Sequence, residues 1–143
     1  MRIKGGWTGM KILMVVDQPE IWESHIAILT FFHKHTVDIV TDTDLALQAL
    51  RKSLYDLMIT DEYLASGKND PLKGTCTSDY ERGFRFLRFI DSWNQHAVKR
   101  AILIAATCFP ISDENIAACR IPIRQMRIPV TSDVLLAAVE SGA

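Results

Sequence analysis

Ile12-Leu13-Met14-Val15-Val16 is an unbroken apolar run of strand length that stops at an acid, Asp17. Apolarity without alternation belongs to a strand covered on both faces, as in a parallel sheet flanked by helices. Tyr55–Thr60 repeats the pattern and stops at Asp61, and Ala101–Ala106 repeats it again and stops at Thr107. Thr36–Val40 reads as a shorter strand, and Ile121–Ile128, with Pro122 and Pro129 at its limits, as a fifth. Helical patterns separate them. Pro19 suits a first helical turn, and Ile21, Trp22, His25, Ile28, Leu29 and Phe32 share a stripe at about 100° per residue. Leu45–Leu50 makes a compact second helix behind the caps Thr41–Thr43. Residues 80–94 place Phe84, Phe86, Leu87, Ile90 and Trp93 on one half and Arg82, Arg85 and Arg88 on the other. Ser112–Cys119 and Thr131–Val139 supply the last two helices. The alternation predicts an α/β fold: a doubly wound, five-stranded parallel (βα)5 sheet in three α/β/α layers.

Length and charge bound the function. The 143 residues suffice for one core, and 16 Lys+Arg against 17 Asp+Glu leave a net charge of −1. Such a balance argues against nucleic acid or an anionic membrane as the main partner. No apolar run approaches the ~18 residues of a membrane span. Cys76, Cys108 and Cys119 are odd in number and form no C-x-x-C pair, which suits a reducing, cytoplasmic setting. Residues 1–9 carry three glycines and read as a loose leader without the apolar stretch of a signal peptide. Residues 10–143 then form a single domain. Its connection over residues 65–78 is long for this architecture and rich in Gly, Ser, Thr, Asn and Asp; its composition predicts a mobile segment or a lid.

In such a sheet, chemistry sits beyond the carboxyl ends of the strands, where Asp17, Asp61 and Thr107 fall. Two adjacent carboxylates repel unless a cation lies between them, so the pair points to a hard oxygen site for magnesium. Thr107 is placed to hold a phosphoryl oxygen, and Asp61 to act as a nucleophile toward phosphorus.

With these residues in view, the chain resembles the receiver domain of two-component response regulators over about residues 10–141. Lys11–Glu20 looks like that family's first strand and acidic corner, and Tyr55–Asp61 like the strand ending at the phospho-acceptor aspartate. Ile102–Cys108 looks like the fourth strand, with a hydroxyl residue followed by a small one, and Ile128–Leu136 like the fifth strand's end and final helix. The resemblance implies phosphorylation at Asp61, magnesium held by Asp17, Asp61 and the backbone carbonyl of Tyr63, and phosphoryl contacts from Thr107 and Cys108. It implies a histidine kinase or phosphotransfer protein as donor and a downstream target protein, with homodimerisation open and no catalytic turnover of its own. Several places depart from the pattern. Val16 stands at the first acidic place, Ile128 at that of the lysine, and Gln125 at that of the switch aromatic. Gly83 matches a family glycine but stands 22 positions after Asp61 rather than eight, an insertion of 14 residues. Two functional classes follow: a stand-alone phosphorelay receiver, or a pseudo-receiver that binds proteins without phosphorylation. A magnesium-dependent phosphohydrolase is the weaker third class, since no D-x-D follows either strand end.

Other polar residues read as structural. His25, amid an apolar stripe, is expected to be a satisfied core histidine. His33 and His35 share no helix face and predict no metal site. The arginine row reads as a solvated face. Phe89, outside the apolar half of its helix, calls for cover from the inserted loop or a partner.

Overall fold

A computed structural model describes residues 9–64, 69–72, 82–105 and 111–141. The strands are β1 (Lys11–Val15), β2 (Thr36–Val40), β3 (Leu57–Asp61), β4 (Ala101–Ala105) and β5 (Ile123–Arg127). They form one sheet of order β2-β1-β3-β4-β5, and every pairing is parallel. Ile12–Val16, Leu57–Thr60 and Ile102–Ile104 have no exposed surface. The non-alternating runs are therefore the middle of the sheet, dry on both sides.

Alternate residues of those strands feed two separate cores. Ile12, Met14, Val16, Ile59, Ile102 and Ile104 meet Trp22 and Leu29 of the first helical segment. On the same side lie Leu135, Ala138 and Val139 of α5 (Ser132–Glu140). Leu13, Val15, Met58 and Leu103 face the other way, against Ala46, Leu47 and Leu50 of α2 (Thr43–Lys52). They also meet Phe84, Phe86, Leu87 and Ile90 of α3 (Arg82–Asn94). α4 (Asp113–Ala117) lies on this second side, with Ile116 packed on its edge. No helix among the described residues is long and apolar enough to cross a membrane.

The first helical segment departs from the expected stripe. α1 (Glu23–Ala27) is one α-helical turn between a 3-10 turn, Pro19–Trp22, and a π turn, Ile28–Phe32. Three, 3.6 and more than four residues per turn follow in succession, so no single angle describes the face. Trp22 and Leu29 are buried as the stripe requires, but Ile21 and Phe32 are turned out to solvent. Trp93 is likewise half exposed near the end of α3. His25 Nε2 meets the Val130 carbonyl at 2.6 Å, tying α1 to the segment before α5. Its Nδ1 is buried without a hydrogen-bond partner, so the core histidine is satisfied on one side only. His33 and His35, which share no helix face, both reach one oxygen. His33 Nδ1 and His35 Nε2 each lie 3.2 Å from Glu140 Oε2, at the end of α5. The Met10 N–H donates to His35 Nδ1 at 3.0 Å, so Nε2 carries the ring proton toward Glu140. The leader expected over residues 1–9 falls outside the described residues except Gly9, which lies against Lys34.

The connection after β3 also differs from its expectation. Residues 65–68 and 73–78 lie outside the described ones, but 69–72 is packed. Leu72 is buried in the core beside Phe84 and Phe86. Asp70 accepts from the Thr43 hydroxyl at 2.6 Å and pairs with the Arg82 guanidinium at 2.5 Å. Arg82 is therefore a buried partner and not part of a solvated row, whereas Arg88 is exposed. Composition hid this because one aspartate and one leucine anchor the segment. Phe89 stacks on Phe86 at 6.4 Å between centroids and shares a cavity of about 490 Å³ with Asn69 and Pro71, so the insertion borders it.

Gly83 explains how the long connection rejoins the fold. Its N–H donates to the Glu62 carbonyl at 2.9 Å, and a Cβ there would lie 2.0 Å from the Asp61 carbonyl oxygen. Gly83→Ala should push α3 off the end of β3 and cost about 1–3 kcal/mol, read as a lower urea midpoint. A midpoint equal to wild type would mean that this contact gives way freely. Asp70→Ala removes one carboxylate from the buried Arg82 guanidinium and the acceptor of the Thr43 hydroxyl. We expect a loss of about 1–3 kcal/mol by the same measurement, and no measurable loss would show the anchor to be dispensable.

Candidate functional site

Asp61 is the last residue of β3 and Asp17 stands two residues beyond β1, its strand neighbour. The Asp17 N–H points at Asp61 Oδ2 at 3.4 Å, a long hydrogen bond that sets the two acids side by side. They line a cavity of about 330 Å³ with Gln18, Ile21, Trp22, Glu62, Tyr63, Ile104 and Ile128. Each wall follows from the fold: Gln18–Trp22 is the turn after β1, Ile104 the end of β4, and Ile128 the residue after β5.

Electrostatics follow from this setting. Burial pushes the Asp61 carboxyl up to about 7. The Asp17 N–H opposes the rise, and the Asp17 charge adds to it. Ile104, Trp22 and Ile128 surround the acids with apolar surface, which solvates a carboxylate poorly. Two carboxylates suit a hard divalent ion in charge. No third member of a His, Cys, Asp and Glu metal cluster is gathered among the described residues, so further oxygens must come from backbone or water. Tyr63, expected to offer its carbonyl, does line the cavity.

The remaining expected positions divide clearly. Val16 is wholly buried in the core with Trp22 and Leu135 and is not among the residues that line the cavity. Ile128 stands at the mouth, 47% exposed, with its N–H on the Ala105 carbonyl at 3.1 Å. Gln125 is not idle. Its Nε2 donates to the Ile111 carbonyl at 2.7 Å, and its Oε1 accepts from the Ile111 N–H at 3.0 Å. Thr107 and Cys108 lie outside the described residues. Sequence reading missed Trp22, Ile104 and Glu62 as walls. Adjacency to strand ends was the available signal for Ile104 and Glu62, whereas Trp22 read only as core.

A parallel 2-1-3-4-5 sheet with acids beyond β1 and β3 has the architecture of response-regulator receiver domains. Solved structures agree. The chain superposes on the signal receiver domain of a putative LuxO repressor protein from Vibrio parahaemolyticus with a TM-score of 0.68 at 16% identity, covering 94% of this chain and 89% of that one. Against the chemotaxis response regulator CheY4 of Vibrio cholerae the TM-score is 0.69 at 20% identity, covering 95% and 100%. Against the receiver domain of a signal transduction histidine kinase from Syntrophus aciditrophicus it is 0.66 at 18% identity, covering 94% and 89%. At these identities the likeness establishes the fold: this is a CheY-like receiver fold. No protein-family model and no curated protein matches the chain.

The Asp61 setting makes stability depend on pH. With its folded value above that of the unfolded chain, the folded state holds this proton more tightly. That contribution is fully present below about pH 4 and is lost as pH rises through about 7. Asp61→Asn removes the titration. Relative to wild type, the variant should gain about 2–3 kcal/mol between pH 5 and pH 8 in urea unfolding. An equal difference at both pH values would place Asp61 in a wetter setting than its packing implies.

Proposed function

We propose that the chain is a signal-receiving module of the two-component type, with Asp61 as phosphoryl acceptor and output through protein contacts. The observation that carries this is the meeting of Asp61 and Asp17 in one cavity at the carboxyl ends of β3 and β1 of a receiver fold. An Asp61 carboxylate oxygen attacks the donor phosphorus from the open side of the cavity. The donor's bond to phosphorus breaks, and its electron pair leaves with the imidazole or acetate. Asp17, Asp61 and the Tyr63 carbonyl would hold magnesium, which supplies positive charge beside the incoming phosphoryl group. Thr107 and Cys108, assigned from sequence, would contact its oxygens. A histidine kinase or phosphotransfer protein is the proposed donor, and a target protein or a second copy of this chain the proposed listener, in a cytoplasmic setting.

A second reading, a phosphorylation-independent pseudo-receiver, has its own support. Ile128 brings no positive charge to the cavity, and Gln125 is engaged with the Ile111 backbone. An arrived phosphoryl group adds roughly two negative charges beside Asp17 with little to report it. In this reading the partner surface stands ready at all times.

Intact mass after incubation with acetyl phosphate and magnesium decides between them. The receiver reading expects a gain of one phosphoryl group, absent in Asp61→Asn and lost on treatment with hydroxylamine. No gain, together with a folded protein and undiminished partner binding by Asp61→Asn, would leave the pseudo-receiver reading.

A further inference from the structure

α4 is held differently from the other helices. Of Asp113–Ala117, only Ile116 is even half buried, and the other four residues are exposed. A five-residue helix has too few internal hydrogen bonds to persist without support. Its support is polar and comes from two neighbouring elements. Before the helix, the Gln125 amide of β5 grips the Ile111 peptide through both its donor and its acceptor, at 2.7 and 3.0 Å. After it, Asp91 Oδ1 of α3 accepts from the N–H groups of Arg120 and Ile121, each at 2.9 Å. Ile111 directly precedes the cap Ser112, and Arg120 directly follows Cys119, so the two grips bracket the helix. Between them the segment satisfies itself: Ser112 Oγ accepts from Asn115, and Ala118 donates to Glu114. These bonds are local to the segment, so releasing the grips frees it from its neighbours without breaking any pairing of the sheet. Among the described residues this release costs four hydrogen bonds and the partial burial of Ile111, Ile116 and Cys119 against the core that contains Phe86 and Leu87, while the side chain of Ile121, 2% exposed in that core, stays in place as the hinge.

We propose that residues 111–120 form a flap, hinged at the buried Ile121 and clipped shut at its two ends by Gln125 and Asp91, which opens as a unit while the sheet stays folded. Opening bares the apolar undersides of Ile111, Ile116 and Cys119. The clips draw on neither Asp17 nor Asp61, so the flap opens whether or not the cavity is occupied. This goes beyond the receiver reading and does not depend on it.

Hydrogen exchange on the full chain, read by mass spectrometry without any phosphoryl donor, tests the flap. The peptide containing Ile12–Val16 serves as the internal reference for global unfolding. Wild-type amides of 111–120 should exchange faster than this reference and with little response to low urea. Gln125→Met, which keeps the length and loses both hydrogen bonds, should speed exchange over 111–120 about tenfold or more with the reference unchanged. Asp91→Ala should do the same, and trypsin should cut faster after Arg120 in both variants. Asp91→Asn keeps an acceptor oxygen and should behave as wild type. Where a variant loses global stability, the ratio of flap to reference exchange remains the readout. Exchange of 111–120 only in step with the reference, or an unchanged ratio in Gln125→Met, would overturn the proposal. So would equal opening by Asp91→Asn and Asp91→Ala. Absence of phosphorylation in the acetyl phosphate experiment leaves it standing.

Discussion

Covering both faces of the three central strands is the constraint from which the molecule follows. Residues 12–16, 57–60 and 102–104 are sealed from water, so β1, β3 and β4 give polar side chains almost no place along their length. Thr60 is the exception, and it turns its hydroxyl onto the Asp61 carbonyl at 3.0 Å. Charge can enter only where the strands stop, and Asp17 and Asp61 do so on neighbouring strands. The same sealing that builds the sheet starves Asp61 of solvent, which is why its proton is held so tightly. Fold and site are two results of one packing requirement.

That requirement also decides what was legible in the sequence. Apolar runs without alternation announce buried parallel strands, so the sheet, its helices on both sides and the acids at its rim could be read directly. The first helical segment could not, because a stripe assumes one constant turn and this segment changes its winding twice. Arg82 was misread because its partner, Asp70, lies in a stretch whose composition resembles a free loop. The meeting of His33 and His35 at Glu140 was hidden for a similar reason, since the shared residue comes from the far end of the chain. Pairings between distant segments leave no period in either one.

Substitutions around the site also fit one another. Ile128 leaves the mouth of the cavity apolar, and Gln125 joins β5 to the segment before α4 instead of leaving a free ring there. Both changes act on β5 or the residue after it, while the end of β1 keeps one acid, Asp17, with Val16 in place of the other, and β3 keeps Asp61. The two departures at the β5 side of the cavity therefore leave the meeting of Asp17 and Asp61 untouched.

Asp70 gives the connection between β3 and α3 a fixed point partway along. Held by Thr43 and Arg82, with Leu72 sunk beside it, it divides one long excursion into two shorter spans. Closing two short spans onto a common anchor separates the length of each from the register of the helix that follows. Gly83 can then keep its seat on the Asp61 carbonyl however either span grows or shrinks. In evolutionary terms the anchor makes this connection a tolerant graft point: new recognition sequence can accumulate on either side without disturbing the acid at the sheet's edge.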